Sequence, residues 1–311
     1  MLDNLKIRKK IIGIGLFGLM IQAQAEVLII LPDSGPMARA SSNIKSGIDI
    51  AYKASNAQIP LKFVKVEQLS INQLLKNNIN KNTQLIIGPL ARSDVESLIK
   101  SNPKVPVLAL NEVTLQHPKT WQFSLAKSDD AAALVEQINR DKTQHLYIMR
   151  EEGSEKESMS FVNELFKSFN GQVSIVDQLP KLKSKDGVLL LGKMDWIKAL
   201  KNKPHKRLYV QAMTVNETKT IPMGTKFCDV PMLFNEKLNI HKANISDAEY
   251  AFQRLNAFGQ DAWKIAEQML KVSNPENISI DGMTGHLSVK KNRIERRPAC
   301  FEKTWFRLKQ I

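Results

Sequence analysis

The sequence predicts an α/β protein made of two successive lobes of strands and helices. Short apolar runs rich in β-branched residues alternate with amphipathic helical segments. Pro, Gly, Asp and Ser stand in the short connections between them. The alternation runs once through about the first 140 residues and then restarts at His145. This pattern is typical of βα units wound into parallel sheets, so we expect two similar lobes that share a cleft.

The first unit shows how the pattern places a candidate site. Val27–Leu31 is an apolar run too short for a helix, and Pro32 ends it. Asp33, Ser34 and Gly35 then form a turn before an amphipathic helix whose apolar face carries Ile44, Gly47, Ile48 and Ala51. Ligands of open parallel sheets bind outside the carboxyl ends of the strands. The turn is therefore the first candidate edge of a cleft.

Residues 1–25 read as an export signal. A basic start precedes the apolar segment Ile11–Ile21, and Ala23 and Ala25 give the small-residue pattern of a cleavage site. A retained membrane anchor is the alternative, but eleven apolar residues are far fewer than the roughly 20 that span a bilayer. We expect cleavage after Ala25, release into the periplasm and no lipid anchor, since no cysteine lies near the junction.

The remaining elements of the first series follow in order. Two helices are expected to start at serine caps: Ser93, with Glu96 completing a capping box, and Ser128. The strands predicted around them are Leu61–Val66, Leu85–Ile87, Val107–Leu110 and Gln122–Leu125.

The second series ends in a long helix and an extended ribbon. A helix after Ser154 should bury Phe166 and Phe169 and end at Gly171. The long helix starts at a capping box of Ser246 and Glu249, and close packing accounts for its Gly259. The other predicted elements are strands His145–Met149, Val173–Val176, Val188–Leu191 and Leu208–Gln211, a helix Asp195–Leu200, and the ribbon Asp281–Leu308.

Composition restricts the function classes. The net charge is +14, and it falls to +11 once the leader is removed. The charge is spread along the sequence without a basic block or interleaved aromatic residues, so we predict no nucleic-acid partner. Attraction to anionic wall polymers or lipid head groups and an ordinary solvated surface both remain open.

Two cysteines, Cys228 and Cys300, stand 72 residues apart. In an oxidising compartment they are candidates for a disulfide, and two buried free thiols are the alternative.

Several motifs in this order resemble the C-terminal domain of LpoA-type proteins, bacterial activators of a bifunctional class A penicillin-binding protein. The motifs are a strand followed by PxSGP and a helix, IIGPL at 86–90, VLALN at 107–111, FCDVP at 227–231, RLNAFGQDAW at 254–263, GMTGHLS at 282–288 and IERR at 294–297.

The resemblance implies a type I periplasmic-binding-protein fold, with two Rossmann-like lobes joined by three crossovers. We place residues 26–125 and 246–285 in lobe 1, and residues 126–245 and 286–311 in lobe 2. Family members usually carry a helical N-terminal domain and a lipid anchor, and neither is expected in this sequence. The resemblance implies a class A penicillin-binding protein as partner. Peptidoglycan is a second candidate partner, because the basic charge attracts anionic wall polymers.

The candidate ligand-binding residues follow predicted strands of both lobes, where hydroxyl, backbone N–H and carboxylate groups could hold an amino acid. They are Asp33, Ser34, Gly35, Gly88, Asn111, Glu112 and Arg150. The alternative is that these residues only shape turns. We expect Asp229 to be a local cap, and Gly282 and Gly285 to be needed for backbone geometry. Asp261 could either pair across the lobe or be solvated.

No catalytic residue, metal site or cofactor is predicted. The sequence has no nucleophile elbow, P-loop or HExxH motif. The five histidines are scattered without ligand spacing: His117, His145, His205, His241 and His286.

Three functions remain. The first is a non-enzymatic periplasmic regulator that binds and activates a class A penicillin-binding protein. The second is a solute receptor for amino acids or small peptides that serves an importer. The third is a protein that binds wall polymers through a basic surface.

Overall fold

The structure is a computed structural model that describes residues 25–66, 70–215, 221–235, 238, 250–272 and 274–311. The predicted leader, apart from Ala25, and the capping box of Ser246 and Glu249 lie outside these residues. Two mixed sheets with helices packed against them confirm the predicted α/β fold. None of the described helices combines the length and apolar character needed to cross a bilayer.

The first sheet holds eight strands within the described part of the chain, in the order β2-β1-β3-β4-β5-β13-β12-β11. The first six of these run parallel, and the last two pairings are antiparallel. Their bounds are β1 Glu26–Leu31, β2 Leu61–Lys65, β3 Thr83–Ile87, β4 Val107–Ala109, β5 Thr120–Gln122, β11 Ser279–Asp281, β12 His286–Lys290 and β13 Arg293–Arg297.

The second sheet has the order β7-β6-β8-β9-β10-β14-β15. Its first five strands are parallel, and β14 and β15 join antiparallel. Their bounds are β6 His145–Arg150, β7 Gln172–Ile175, β8 Asp186–Leu191, β9 Leu208–Val210, β10 Thr225–Asp229, β14 Ala299–Lys303 and β15 Leu308–Gln310.

Helices cover both sheets. They are α1 Ala38–Ser55, α2 Ile71–Asn78, α3 Arg92–Lys100, α4 Lys127–Arg140, α5 Glu155–Ser168, α6 Met194–Ala199 and α7 Tyr250–Lys271, with short 3-10 turns at Ala212–Thr214, Pro231–Leu233 and Pro275–Asn277. Strand β1 is buried on both faces, because Val27 and Ile29 pack in the same cluster as residues of α1 and α7 while Leu28 and Ile30 pack with α2 and α3. Such two-sided burial is the reason for its unbroken apolar run.

The crossing of α1 and α7 explains the glycine inside the long helix. A Cβ on Gly259 would lie 2.0 Å from the carbonyl oxygen of Ile44, and a Cβ on Gly47 would lie 2.0 Å from that of Asn256. Each helix therefore needs a glycine where the other helix's backbone touches it. The predicted close packing of Gly259 is confirmed.

The chain passes between the sheets three times among the described elements: after β5, between β10 and α7, and at Pro298 between β13 and β14. The predicted placing of residues 286–297 in lobe 2 is wrong. Strands β12 and β13 form a ribbon with β11, and the Gln122 N–H donates to the Asn292 carbonyl beside the β5–β13 pairing, so they extend the first sheet.

Several predicted element ends are also wrong. Ser93 and Ser128 are not caps, because α3 and α4 already begin at Arg92 and Lys127 after extended residues Ala91 and Ala126. Strand β5 ends at Gln122, where the prediction had started it.

Helix α5, which follows Ser154, differs from its prediction in the side chains that it buries and in the residue at its end. Phe166 is half exposed, whereas Phe169 is buried as predicted. Gly171 is not a left-handed helix cap. The helix ends at an extended Phe169, and a Cβ on Gly171 would meet that residue's ring.

A disulfide joins Cys228 to Cys300 between the antiparallel neighbours β10 and β14. The two residues stand directly opposite each other in the register. The bridge expected from the sequence thus closes a 72-residue separation and fastens β14 to the parallel part of the second sheet.

Candidate binding cleft between the lobes

Parallel pairing brings three of the predicted loops to one edge of the first sheet. Strands β1 and β4 both pair parallel with β3, so the residues that follow them, including Asp33 and Asn111, leave the sheet at the same edge. A cavity of about 400 Å³ opens there between the lobes. Its lining includes Leu90, Asn111, Glu112, Ser124, Ser160 and Phe258.

Asn111 and Glu112 line this cavity, and both side chains make hydrogen bonds within the protein. The Asn111 Nδ2 donates to the Leu90 carbonyl at 2.9 Å, and its Oδ1 accepts from the Glu112 N–H at 2.9 Å. The Glu112 Oε1 accepts from the Ser124 hydroxyl at 2.8 Å and lies 3.2 Å from the Arg293 Nε. These groups hold the loop in place, and a ligand would have to compete with those partners.

The other first-lobe candidates stand outside the cavity lining. Asp33 forms an ion pair with Lys65 at 2.6 Å, and Ser34 and Gly35 are exposed. Gly88 is buried at a φ of +103°, and a Cβ there would lie 2.2 Å from the Ile30 carbonyl oxygen. Gly88 therefore shapes the backbone between strands. A ligand-binding role for these four residues stays a prediction.

Arg150 ends β6 in the second lobe, where a second cavity of about 390 Å³ lies at the carboxyl ends of β6, β8 and β9. The lining includes Glu151, Gly153, Ser154, Lys193, Gln211 and Met213. Arg150 borders neither cavity. The structure therefore does not bring Arg150 together with Asn111 and Glu112, and its predicted role also stays a prediction.

The sequence prediction missed a buried ionic cluster that joins the lobes. Asp129 and Asp130 lie in the first turn of α4, which packs under the second sheet. Arg293 and Arg296 project from β13 of the first sheet. The Arg293 Nη2 donates to the Asp129 Oδ1 at 2.8 Å, and the Arg296 Nη2 donates to the Asp130 Oδ1 at 2.6 Å. The Arg296 side chain is only 1% exposed.

Burial and charge pairing have opposite effects on the pKa values in this cluster, and a different one prevails at Asp129 and at Arg296. Burial raises the pKa of Asp129 to about 7, although the nearby Arg296 and Arg293 lower it; Glu112 and Asp130 raise it further. Burial alone would lower the pKa of Arg296, but Asp130 and Asp129 raise it above its ordinary value. Arg296 therefore stays charged, and its Nε and the Asp129 Oδ2 have no hydrogen-bond partner among the described groups.

A second buried ion pair also connects the lobes. Asp229 ends β10 and is 1% exposed, and Arg254 of α7 contacts both of its carboxylate oxygens at distances from 2.5 to 3.2 Å. The Arg254 Nη2 also donates to the carbonyls of Ala212 and Val215 in the second lobe. Asp229 is not the predicted cap, because the following 3-10 turn is capped by Val230 without a side-chain hydrogen bond. Its Oδ1 accepts from the adjacent Val230 N–H, and its carboxylate forms the ion pair that spans the lobes.

Asp261, which the sequence left as either paired or solvated, is fully buried and paired. Its carboxylate accepts from the N–H groups of Met283 and Thr284 and from the Thr284 hydroxyl, each at 2.7 Å. Burial raises its pKa and these hydrogen bonds oppose the rise. A Cβ on Gly282 would lie 2.5 Å from this carboxylate, so Gly282 leaves room for the Asp261 side chain. The backbone requirement predicted for Gly285 is confirmed by its φ of +139°.

One trio of side chains has the hydrogen-bond order of a catalytic triad. The His286 Nδ1 lies 2.8 Å from the Asp281 Oδ1, and its Nε2 lies 3.2 Å from the Ser279 hydroxyl. The Asp281 side chain is 95% exposed, so water screens its charge and holds the imidazole only weakly in place. We assign no catalysis to this trio. In the described part of the chain, no group of His, Cys, Asp or Glu residues is arranged to hold a metal ion.

Two wound sheets, three chain crossings and a cleft at the strand ends define a type I periplasmic-binding-protein fold. The chain belongs to the family described as "LppC putative lipoprotein", whose model matches residues 10–153 and 200–309. It is an LpoA-type C-terminal domain, as the sequence motifs indicated.

The comparisons with individual proteins agree with this assignment. The chain is 24% identical to a penicillin-binding protein activator LpoA of Glaesserella parasuis, over 87% of this chain and 52% of that protein. The chain spans about half the length of the curated relatives it matches.

Solved structures show the same fold at lower identity. The LpoA C-domain from Haemophilus influenzae, a regulator of PBP1A, matches with a TM-score of 0.76 and 18% identity, over 92% of this chain and all of that one. A "putative branched-chain amino acid ABC transporter" from Chromobacterium violaceum matches with a TM-score of 0.74 and 21% identity, over 89% of this chain and 99% of that one.

Proposed function

We propose that this protein is a non-enzymatic periplasmic regulator of peptidoglycan synthesis that binds and activates a class A penicillin-binding protein. Membership of the LppC family and the names of the LpoA relatives support a regulator of penicillin-binding proteins in the cell envelope. The leader-like start of the sequence supports export. Activation follows if the regulator binds the active conformation of its partner more tightly than the inactive one.

The observation that carries the proposal is the pair of buried ionic links between the lobes. Arg296 with Asp130 and Arg254 with Asp229 join them at two places, with three of the four side chains no more than 12% exposed. Separating such partners would strand charges in a poorly hydrated site. These links restrain the relative motion of the two lobes, which favours a constant surface for a protein partner.

The alternative is a solute receptor, which closes its lobes on a small ligand. The likeness to the Chromobacterium violaceum protein and the cavity of about 400 Å³ favour it. Against it, Asn111 and the Glu112 Oε1 already make hydrogen bonds with the protein's own groups, so these two predicted ligand-binding residues offer an amino acid few free atoms.

Two measurements distinguish the functions. The mature chain is immobilised and offered a purified class A penicillin-binding protein, with a solute receptor of the same fold as control bait. The regulator retains the synthase and the control does not. In parallel, amino acids and small peptides are screened for thermal stabilisation, where a receptor gains about 2.7 kcal/mol at a hundredfold excess over Kd. Strong stabilisation without retention of the synthase would reject our proposal.

A further inference from the structure

A basic surface assembles at the edge of the second sheet that lies opposite the cleft. Strands β6, β8, β9 and β10 are parallel, so the segments that precede them all lie at their amino ends. Strand β14 runs antiparallel to β10, with Glu302 opposite Lys226, so the β14–β15 turn reaches the same edge. We call segments 141–144, 181–185, 201–207 and 303–307 the basic rim.

The basic rim concentrates charge that looks scattered in the sequence. It contains ten Lys or Arg residues and one acidic residue, Asp141, which already accepts from Lys226 and Tyr209. None of the ten cations forms an ion pair with another described residue. They are Lys142, Lys181, Lys183, Lys185, Lys201, Lys203, Lys206, Arg207, Lys303 and Arg307.

Two large aromatic side chains project from this rim. Trp305 is 80% exposed and Phe306 is 98% exposed, at the tip of the β14–β15 turn. The turn is closed by Thr304, whose N–H and hydroxyl both donate to the Arg307 carbonyl. Strand β14 is in turn fastened to β10 by the Cys228–Cys300 disulfide. The Trp305 and Phe306 rings therefore lie on a convex turn that is held in place by these bonds, and they do not pack onto the core.

We propose that the basic rim docks on a membrane surface of anionic phospholipids. Tryptophan is enriched at the level of lipid head groups, and clustered Lys and Arg are attracted to anionic leaflets. A convex tip can enter the boundary between head groups and acyl chains, whereas a hydrated wall polymer offers its two rings no apolar layer. Because the rim and the cleft lie at opposite edges of the sheet, docking leaves the cleft accessible to a protein partner.

Vesicle binding tests the proposal. The mature chain is mixed at low salt with vesicles of phosphatidylglycerol and phosphatidylcholine in equal parts, or of phosphatidylcholine alone, and bound protein is measured by flotation. Binding is expected only to the anionic vesicles and should weaken as salt rises. Neutralising Lys201 or Lys206 with glutamine is expected to weaken binding about fivefold each. Lys100→Gln, at the end of α3 in the first lobe, is the control and should have no effect.

The aromatic tip is tested separately. The variant Trp305→Ser/Phe306→Ser is expected to lose most vesicle binding, while Phe166→Ser, which removes a half-exposed ring from α5, is expected to keep it. Emission from Trp305 should shift to the blue on binding, and this shift should be absent from Trp305→Phe.

Three results would overturn the proposal: no binding to anionic vesicles, binding that the double variant retains in full, or equal retention on phosphatidylcholine alone. Retention of the purified synthase that depends on Trp305 and Phe306, without vesicle binding, would likewise reject the membrane and assign the tip to the protein partner.

Discussion

Arg296 on β13 and Asp130 on α4 meet at 2.6 Å although 166 residues separate them in the chain. The Arg296 side chain is 1% exposed and that of Asp130 is 15% exposed. A buried charge that loses its partner stays desolvated without compensation, so removing one member costs more than the pair contributes.

We therefore predict that Arg296→Met lowers the free energy of unfolding by about 3–5 kcal/mol. Arg297→Met, which removes a 60% exposed side chain paired with Glu136, should cost at most about 1 kcal/mol. Chemical denaturation measures both changes. The variant Arg296→Met/Asp130→Leu should lose less than the sum of the single variants. Equal losses for Arg296→Met and Arg297→Met would contradict a structural link between the lobes.

Asp129 gives a pH dependence with a defined sign. Burial raises its pKa to about 7 despite Arg293 and Arg296, so the folded protein holds a proton that the unfolded chain releases between roughly pH 4 and 7. Ionising this carboxyl lowers the free energy of unfolding progressively as pH rises from about 4 to about 7. Below this range the carboxyl has no effect on stability, and above it the loss of stability stays constant.

Asp129→Asn should therefore become more stable relative to the wild type as pH rises from 4 to 7, by on the order of 4 kcal/mol. Unfolding midpoints at several pH values give this difference. Asp195→Asn, at a 97% exposed side chain in the first turn of α6, serves as the control and should follow the wild type. Parallel curves for Asp129→Asn and the wild type would show that Asp129 titrates normally.

The contact of α1 with α7 makes a prediction whose sign opposes helix propensity. Alanine is favoured over glycine by about 1 kcal/mol inside a helix. Gly259→Ala should nevertheless destabilise the protein by about 1–3 kcal/mol, because its Cβ would lie 2.0 Å from the Ile44 carbonyl oxygen. Thermal unfolding tests this, with Ser42→Ala at an exposed position of α1 as a control near zero. A stabilised Gly259→Ala variant would mean that the helices can move apart.

The disulfide should be a large stabilising contribution. Removing it by Cys228→Ala/Cys300→Ala releases a 72-residue loop in the unfolded chain, at a cost of about 4 kcal/mol in the chain-entropy model. Denaturation of the double variant and of the wild type under reducing conditions should give similar midpoints. If both match the oxidised wild type, the bridge does not constrain the unfolded chain.

The sequence predicted what depends on local periodicity and on packing between neighbouring elements. The β1 run and the fold class follow from apolar patterning alone, and Gly259 was assigned to close packing because an interior glycine is costly. Helix starts were less predictable. Ser93 and Ser128 have cap chemistry, but the chain already turns helical before them.

Contacts between distant segments were not predictable from the pattern. Asp129 and Asp130 suit a helix first turn, so their sequence gives no sign of the arginines 164 and 166 residues away. One signal was present. Alternation along β13 places Arg296 on the same face as the buried Ile294, and a charge on a buried face requires a partner.

The basic rim was not predicted, for the same reason. Its four segments are short and far apart in the sequence, and the sheet alone brings them to one edge. The Lys and Arg residues are therefore spread along the sequence, whereas the fold brings ten of them together in the basic rim.

Activation of a synthase is the central claim, and a rate tests it most directly. A purified class A penicillin-binding protein is given its lipid-linked substrate with and without a molar excess of the mature chain, and glycan polymerisation and cross-linking are both followed. We predict a faster rate in at least one of the two reactions, and no product when the chain is present without the synthase. Unchanged rates at concentrations that saturate binding would contradict the assignment as an activator.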